Sequence, residues 1–159
     1  MRILFVCTGN TCRSPMAAEI ARRVAAERGL GNVTVASAGT GAFEGSAASD
    51  GALLVSMENG GDLSGHRSQP LTRALVDASD VVLVMGDKHL VRVEELGGAG
   101  KSWLLTDYAS HGGDIHSVSD PFGGDLETYR ATYEELEAEI RRALDRLVAS
   151  GAGPAGGVP

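Results

Sequence analysis

An apolar stretch near the start of the chain leads straight into a polar, glycine-containing loop and then into a helix. Residues 2–6, Arg-Ile-Leu-Phe-Val, read as a short buried β-strand. After the loop, Ser14-Pro15 predicts a helix start, with Ser14 as cap and Pro15 in the tolerant first turn. Met16, Ala17, Ile20, Ala21, Val24 and Ala25 recur at helical spacing and give that helix one apolar face, which Gly29 ends. A buried strand feeding a helix is the opening half of a βαβ unit. It commits the chain to a parallel sheet covered by helices.

The rest of the chain keeps that alternation. Further strands are predicted at 33–36, 80–85 and 103–105, and helices at 47–58, 71–78, 87–96 and 126–149. Segments 37–46 and 107–123 read as loops. The expected fold is α/β: a single three-layer domain over 1–149, with a four-stranded parallel sheet and helices on both faces. The tail from Ser150 to Pro159 is built of Gly, Ala, Pro, Ser and Val and is expected to be disordered.

Composition removes several function classes. A net charge of −7 argues against nucleic acid as a partner, because that affinity comes mostly from neutralised phosphates. The chain has only two cysteines, Cys7 and Cys12, too close together for a useful staple. That usage points to a reducing compartment, so a cytoplasmic location is expected. The initial apolar run is too short for a secretory signal, and no stretch is long enough to span a bilayer.

The loop itself carries the chemistry. In Cys7-Thr8-Gly9-Asn10-Thr11-Cys12-Arg13-Ser14, a cysteine and an arginine stand six apart between a strand end and a helix start. Such a loop can turn the N–H groups of Thr8, Gly9, Asn10, Thr11, Cys12 and Arg13 toward an anion, with the helix N-terminus adding positive potential. Gly9 lets the backbone approach closely, and Asn10 tolerates a left-handed conformation. Arg13 presents a planar fork that matches two phosphate oxygens. A cysteine at the bottom of that bowl is expected to have a lowered pKa and to serve as a nucleophile toward phosphorus. His66, His89, His111 and His116 lack metal-ligand spacing, so no metal and no cofactor is expected.

The segment 7–14 resembles the active-site loop of the low-molecular-weight protein tyrosine phosphatase family. Ser37-Ala38-Gly39, Asp62-Leu-Ser-Gly-His66-Arg-Ser68 and Asp120-Pro121 match further motifs of that family in the same order, over residues 1–148. The resemblance implies the strand order 2-1-3-4 and a protein phosphatase acting on phosphorylated protein, with a phosphate ion in the loop and a monomer as the favoured state. It implies Cys7 as nucleophile, Arg13 as phosphoryl ligand and Asp120 as general acid. Ser14 would hydrogen-bond the thiolate. Asn10, Ser37 and His66 would brace the loop, and Cys12 would be the redox partner of Cys7.

Substrate choice turns on fewer residues. Tyrosine-specific members carry a bulky aliphatic residue at the position of Thr11 and a tyrosine after the Asp-Pro pair. This chain has Thr11 and reads Asp120-Pro121-Phe122-Gly123-Gly124, which resembles the bacterial protein arginine phosphatase branch. Thr11, Phe122 and Phe43 are the expected specificity residues. Phosphoarginine is the favoured substrate and phosphotyrosine the alternative. A thiol-dependent arsenate reductase would need further cysteines late in the chain, and none follows Cys12. A non-catalytic phosphate sensor would have no use for both Cys7 and Asp120.

Overall fold

Alternate residues of the first strand face two different cores. In the computed structural model of the protein, which describes residues 1–151, β1 (Arg2–Cys7) turns Ile3, Phe5 and Cys7 to one side and Leu4 and Val6 to the other. This is the period-two pattern of a strand buried on both faces. On the first side lie α1 (Arg13–Glu27), α2 (Asp50–Glu58), α5 (Leu105–Ser110) and α6 (Leu126–Ala149). On the second lie α3 (Arg73–Asp77) and α4 (Asp87–Val93). The four strands β1, β2 (Thr34–Gly39), β3 (Val81–Val84) and β4 (Ser102–Leu104) are parallel, in the order β2-β1-β3-β4.

That order positions the site. From β1 the chain crosses to β2 on one flank, and β3 then returns to pair on the other. The carboxyl ends of β1 and β3 therefore border the switch point, where such sheets leave a crevice. The loop 7–14 emerges there.

Some boundaries differ from the sequence reading. α1 begins at Arg13 with Cys12 preceding it, and no side chain caps it. Ser14 is thus no cap; its hydroxyl is engaged with Cys7 and Asn10. Residues 105–110, divided in the reading between a strand end and a loop, form α5. It buries Leu105, Thr106, Tyr108 and Ala109, and Tyr108 packs on Trp103 beneath the Arg146 guanidinium. Ser150 and Gly151 form a turn that closes α6, with Ser150 N–H donating to the Arg146 carbonyl at 3.0 Å. The rest of the expected disordered tail, 152–159, lies outside the described residues. Among the described residues, no helix is long and apolar enough to cross a membrane.

Candidate active site

The 7–14 loop is held by its carbonyls. The carbonyl oxygens of Cys7, Thr8 and Thr11 accept from the N–H groups of Thr40, Gly41 and Ser49 at 2.9 Å each. The Asn10 carbonyl accepts from His66 Nε2 at 2.7 Å. With the carbonyls engaged outward, the N–H groups of Gly9, Thr11 and Cys12 meet no acceptor among the described residues. Unmatched backbone donors converging in a loop at a helix start form an anion-binding concavity.

Asn10 is the keystone of the brace. It is fully buried and sits at φ 56, the left-handed region that asparagine tolerates. Its Oδ1 accepts from Gln69 N–H at 3.0 Å, which orients the amide. Its Nδ2 then donates to Ser14 Oγ at 2.8 Å and to Ser37 Oγ at 2.9 Å. Because Ser14 Oγ accepts from Asn10, its own proton is free for Cys7 Sγ, 2.9 Å away. Burial keeps the His66 pKa below the ordinary value, against the opposing pull of the Asn10 carbonyl. The neutral ring thus carries its proton on Nε2.

Arg13 is buried and faces the cleft floor. Its Nη1 donates to the Val118 carbonyl at 3.0 Å, and Nη2 lies 3.5 Å from the Asp120 carboxylate. Asp120 is half exposed and accepts from Phe122 N–H at 3.1 Å. The cleft, about 200 Å³, is lined by Cys7, Thr8, Gly9, Thr11, Cys12, Arg13, Asp120 and Phe122. A Cβ on Gly9 would meet only Thr11 Oγ1, at 3.6 Å. The protein's own packing therefore does not require that glycine, which suits a residue kept small for a ligand.

Two expectations meet a different geometry. Burial pushes the Cys7 thiol pKa up rather than down, with the Ser14 hydroxyl, the Ser14 N–H, Arg13 and the Asn10 N–H pulling the other way. A sulfur on the floor of a packed bowl loses more hydration than these donors return. Phe43 does not line the cleft. It is 82 % exposed on a loop tied down at Ser68, whereas Phe122, 73 % exposed, does line it. Cys7 and Cys12 are free thiols. Cys12 Sγ is engaged by Ser49 Oγ at 3.2 Å and Tyr129 Oη at 3.3 Å. Burial and the Cys12 sulfur push the Tyr129 pKa up to about 12.

Sequence reasoning missed Ser49, Gln69, His89 and Tyr129. They touch the loop from segments that lie far from it in the chain. Only His89 had a usable signal: it stands in the first turn after β3, at the carboxyl edge where a ligand sits in such sheets.

The chain resembles proteins already known. A family model described as low molecular weight phosphotyrosine protein phosphatase matches residues 2–152. A protein-arginine-phosphatase of Geobacillus stearothermophilus is 42% identical over 92% of this chain and 95% of its own length. One of Bacillus subtilis is 40% identical over 92% of this chain and 97% of its own. A solved structure of YwlE arginine phosphatase, a cysteine-to-serine mutant with a phosphorylated active-site serine, superposes with a TM-score of 0.89 at 37% identity. It covers 95% of this chain and 98% of that one. With a family model matched over residues 2–152 and relatives 40–42% identical over 92% of it, the chain belongs to the low-molecular-weight protein tyrosine phosphatase family.

Proposed function

We propose that this protein is a cysteine-dependent protein phosphatase whose preferred substrate is phosphoarginine in proteins. The observation that carries the reading is the cleft itself: Cys7 on the floor, Arg13 beside it, Asp120 across it, and Thr11 and Phe122 at its lining. Cys7 Sγ attacks phosphorus and the bond from phosphorus to the leaving nitrogen breaks. Asp120 gives that nitrogen its proton. Loop N–H groups and Arg13 hold the equatorial oxygens through the transition state. Water then attacks the phospho-cysteine, Asp120 takes its proton, the S–P bond breaks and phosphate leaves.

Thr11 favours arginine over tyrosine because it leaves room and polarity where an aliphatic side chain would press on a phenol ring. Asp120 can pair with the guanidinium as well as protonate it. The identity of about 40% to protein-arginine-phosphatases supports the same choice. Phosphotyrosine is the second reading, because several relatives at 32–39% identity carry the tyrosine phosphatase name. Cys12 serves as redox partner of Cys7, limiting over-oxidation of the nucleophile. The two free thiols fit the cytoplasm.

Initial rates on matched phosphoarginine and phosphotyrosine peptides test the substrate. The arginine peptide should win, and Thr11→Ile should move the ratio toward tyrosine. A clear preference for tyrosine, or a ratio indifferent to Thr11→Ile, would sink the assignment. Cys7→Ser should abolish turnover; full activity in that variant would remove the nucleophile.

A further inference from the structure

Thr8 directly follows Cys7 and lines the cleft. Its Oγ1 lies 2.8 Å from His89 Nε2. His89 belongs to the first turn of α4, so this contact ties the loop after β1 to the turn after the neighbouring β3. None of the roles given above uses it. The ring is 1 % exposed, and its Nδ1 has no hydrogen-bond partner among the described residues.

These facts decide where the ring proton sits. Burial, then Arg13 and Lys88, hold the His89 pKa down at about 4, against a smaller pull from Asp120. The imidazole is therefore neutral at physiological pH and has one N–H. On Nδ1 that proton would be a buried donor with no acceptor. On Nε2 it enters the bond to Thr8 and leaves only a bare ring nitrogen. Orphaned buried donors are the rarer defect in native structures. His89 Nε2 accordingly donates, and Thr8 Oγ1 accepts. The hydroxyl proton of Thr8 is left free to turn to the cleft.

We infer that His89 is a positioning residue of the phosphoryl site: by donating to Thr8 Oγ1 it frees the Thr8 hydroxyl to donate to the anion held above Cys7. The inference rests on the phosphatase reading. It adds one side-chain donor to the backbone N–H groups of the loop, at the residue next to the nucleophile. A hydroxyl whose direction is fixed beforehand needs no reorganisation when charge develops on the phosphoryl oxygens.

The tautomer is measurable in the wild-type protein by long-range ¹H–¹⁵N correlation, with and without inorganic phosphate. The Nε2–H form is expected in both states, and an Nδ1–H ring would overturn the inference. His89→Ala and Thr8→Val should each weaken inorganic phosphate binding and kcat/KM by about tenfold, the scale of one oriented hydrogen bond. The double variant should be no worse than either single one. His89→Gln, whose carboxamide can still donate, should recover most of the loss. Additive losses, or a Gln variant as impaired as Ala, would refute the coupling. Should His89→Ala fail to fold, Thr8→Ser against Thr8→Val decides, with only the valine expected to lose affinity. A wild type that binds phosphate but turns over no phosphopeptide would instead overturn the phosphatase reading. The phosphate affinities would still judge His89.

Discussion

At the scale of single residues, the site depends on the direction of its protons. Gln69 fixes the Asn10 amide, Asn10 turns the Ser14 hydroxyl, and Ser14 offers its proton to the Cys7 sulfur. Ser14 opposes the burial that raises the Cys7 thiol. Removing its hydroxyl in Ser14→Ala should therefore raise that pKa further. The pH profile of Cys7 alkylation by iodoacetamide would move to higher pH, and the rate lost at neutral pH would return in alkaline buffer. A profile that stayed in place would deny Ser14 its influence on the sulfur. Gly39 offers a second case. A Cβ there would stand 2.4 Å from the Thr8 carbonyl oxygen and 3.0 Å from the Asn10 nitrogen, both backbone atoms that cannot step aside. Gly39→Ala should distort the loop and cost at least tenfold in phosphate affinity, within the usual 1–3 kcal/mol of overpacking. Titration calorimetry with inorganic phosphate would measure it.

Among the elements, the segment that carries Asp120 is tied to the body at a few points. Thr106 Oγ1, on buried α5, donates to the His116 carbonyl and accepts from the His116 N–H. Val118 N–H donates to the Met85 carbonyl at 2.9 Å. The His116 ring reaches Asp114 and Glu135. Thr106→Val would leave both His116 backbone groups unpaired. It should destabilise the protein by about 2 kcal/mol, the cost of stranding buried polar groups, and speed amide hydrogen exchange at 114–120. Unchanged exchange there would place the anchor elsewhere. These ties also show what sequence can and cannot convey. The layers and the 7–14 loop were legible, because burial on both faces of β1 and a strand-loop-helix junction leave local patterns; the strand order came only with the family resemblance, since no local pattern sets which strands pair. α5 was not. Trp103-Leu104-Leu105 is apolar enough to read as strand throughout, and the helix from Leu105 is stabilised by Tyr108 packing between Trp103 and Arg146, the latter far outside any local window. Only the cap reading of Ser14 failed: a Ser-Pro pair signals a helix start, yet the hydroxyl answers to Cys7 and Asn10, in keeping with the contact to the sulfur that the resemblance implied.

For the molecule as a whole, two histidines make acid a threat. Burial depresses His89 from an ordinary 6.5 to about 4, and depresses His66 as well. The unfolded chain takes up these protons first, so their contribution is complete above the unfolded pKa and is lost as pH falls below it, for His89 from about 6.5 toward 4. For His89 alone that loss amounts to about 3 kcal/mol at most. His116, raised by Glu135 and Asp114, has the opposite sign: its contribution is present below 6.5 and fades as pH rises through its folded value. Its side chain is 39% exposed, so solvent screening keeps its effect small. Urea midpoints should fall through this acid window, and His89→Gln should flatten the fall; an equally steep decline in that variant would shift the blame to His66 and the carboxylates. Arg13 has a comparable reach. One guanidinium touches both the backbone and the carboxylate of the Asp120 segment while bordering the cleft. Occupancy and segment position are then linked quantities, and linkage runs both ways: whatever factor an anion applies to the resting place of Asp120, that resting place applies to the anion's residence. A change confined to 118–122 should alter how tightly product is held without touching the loop that holds it.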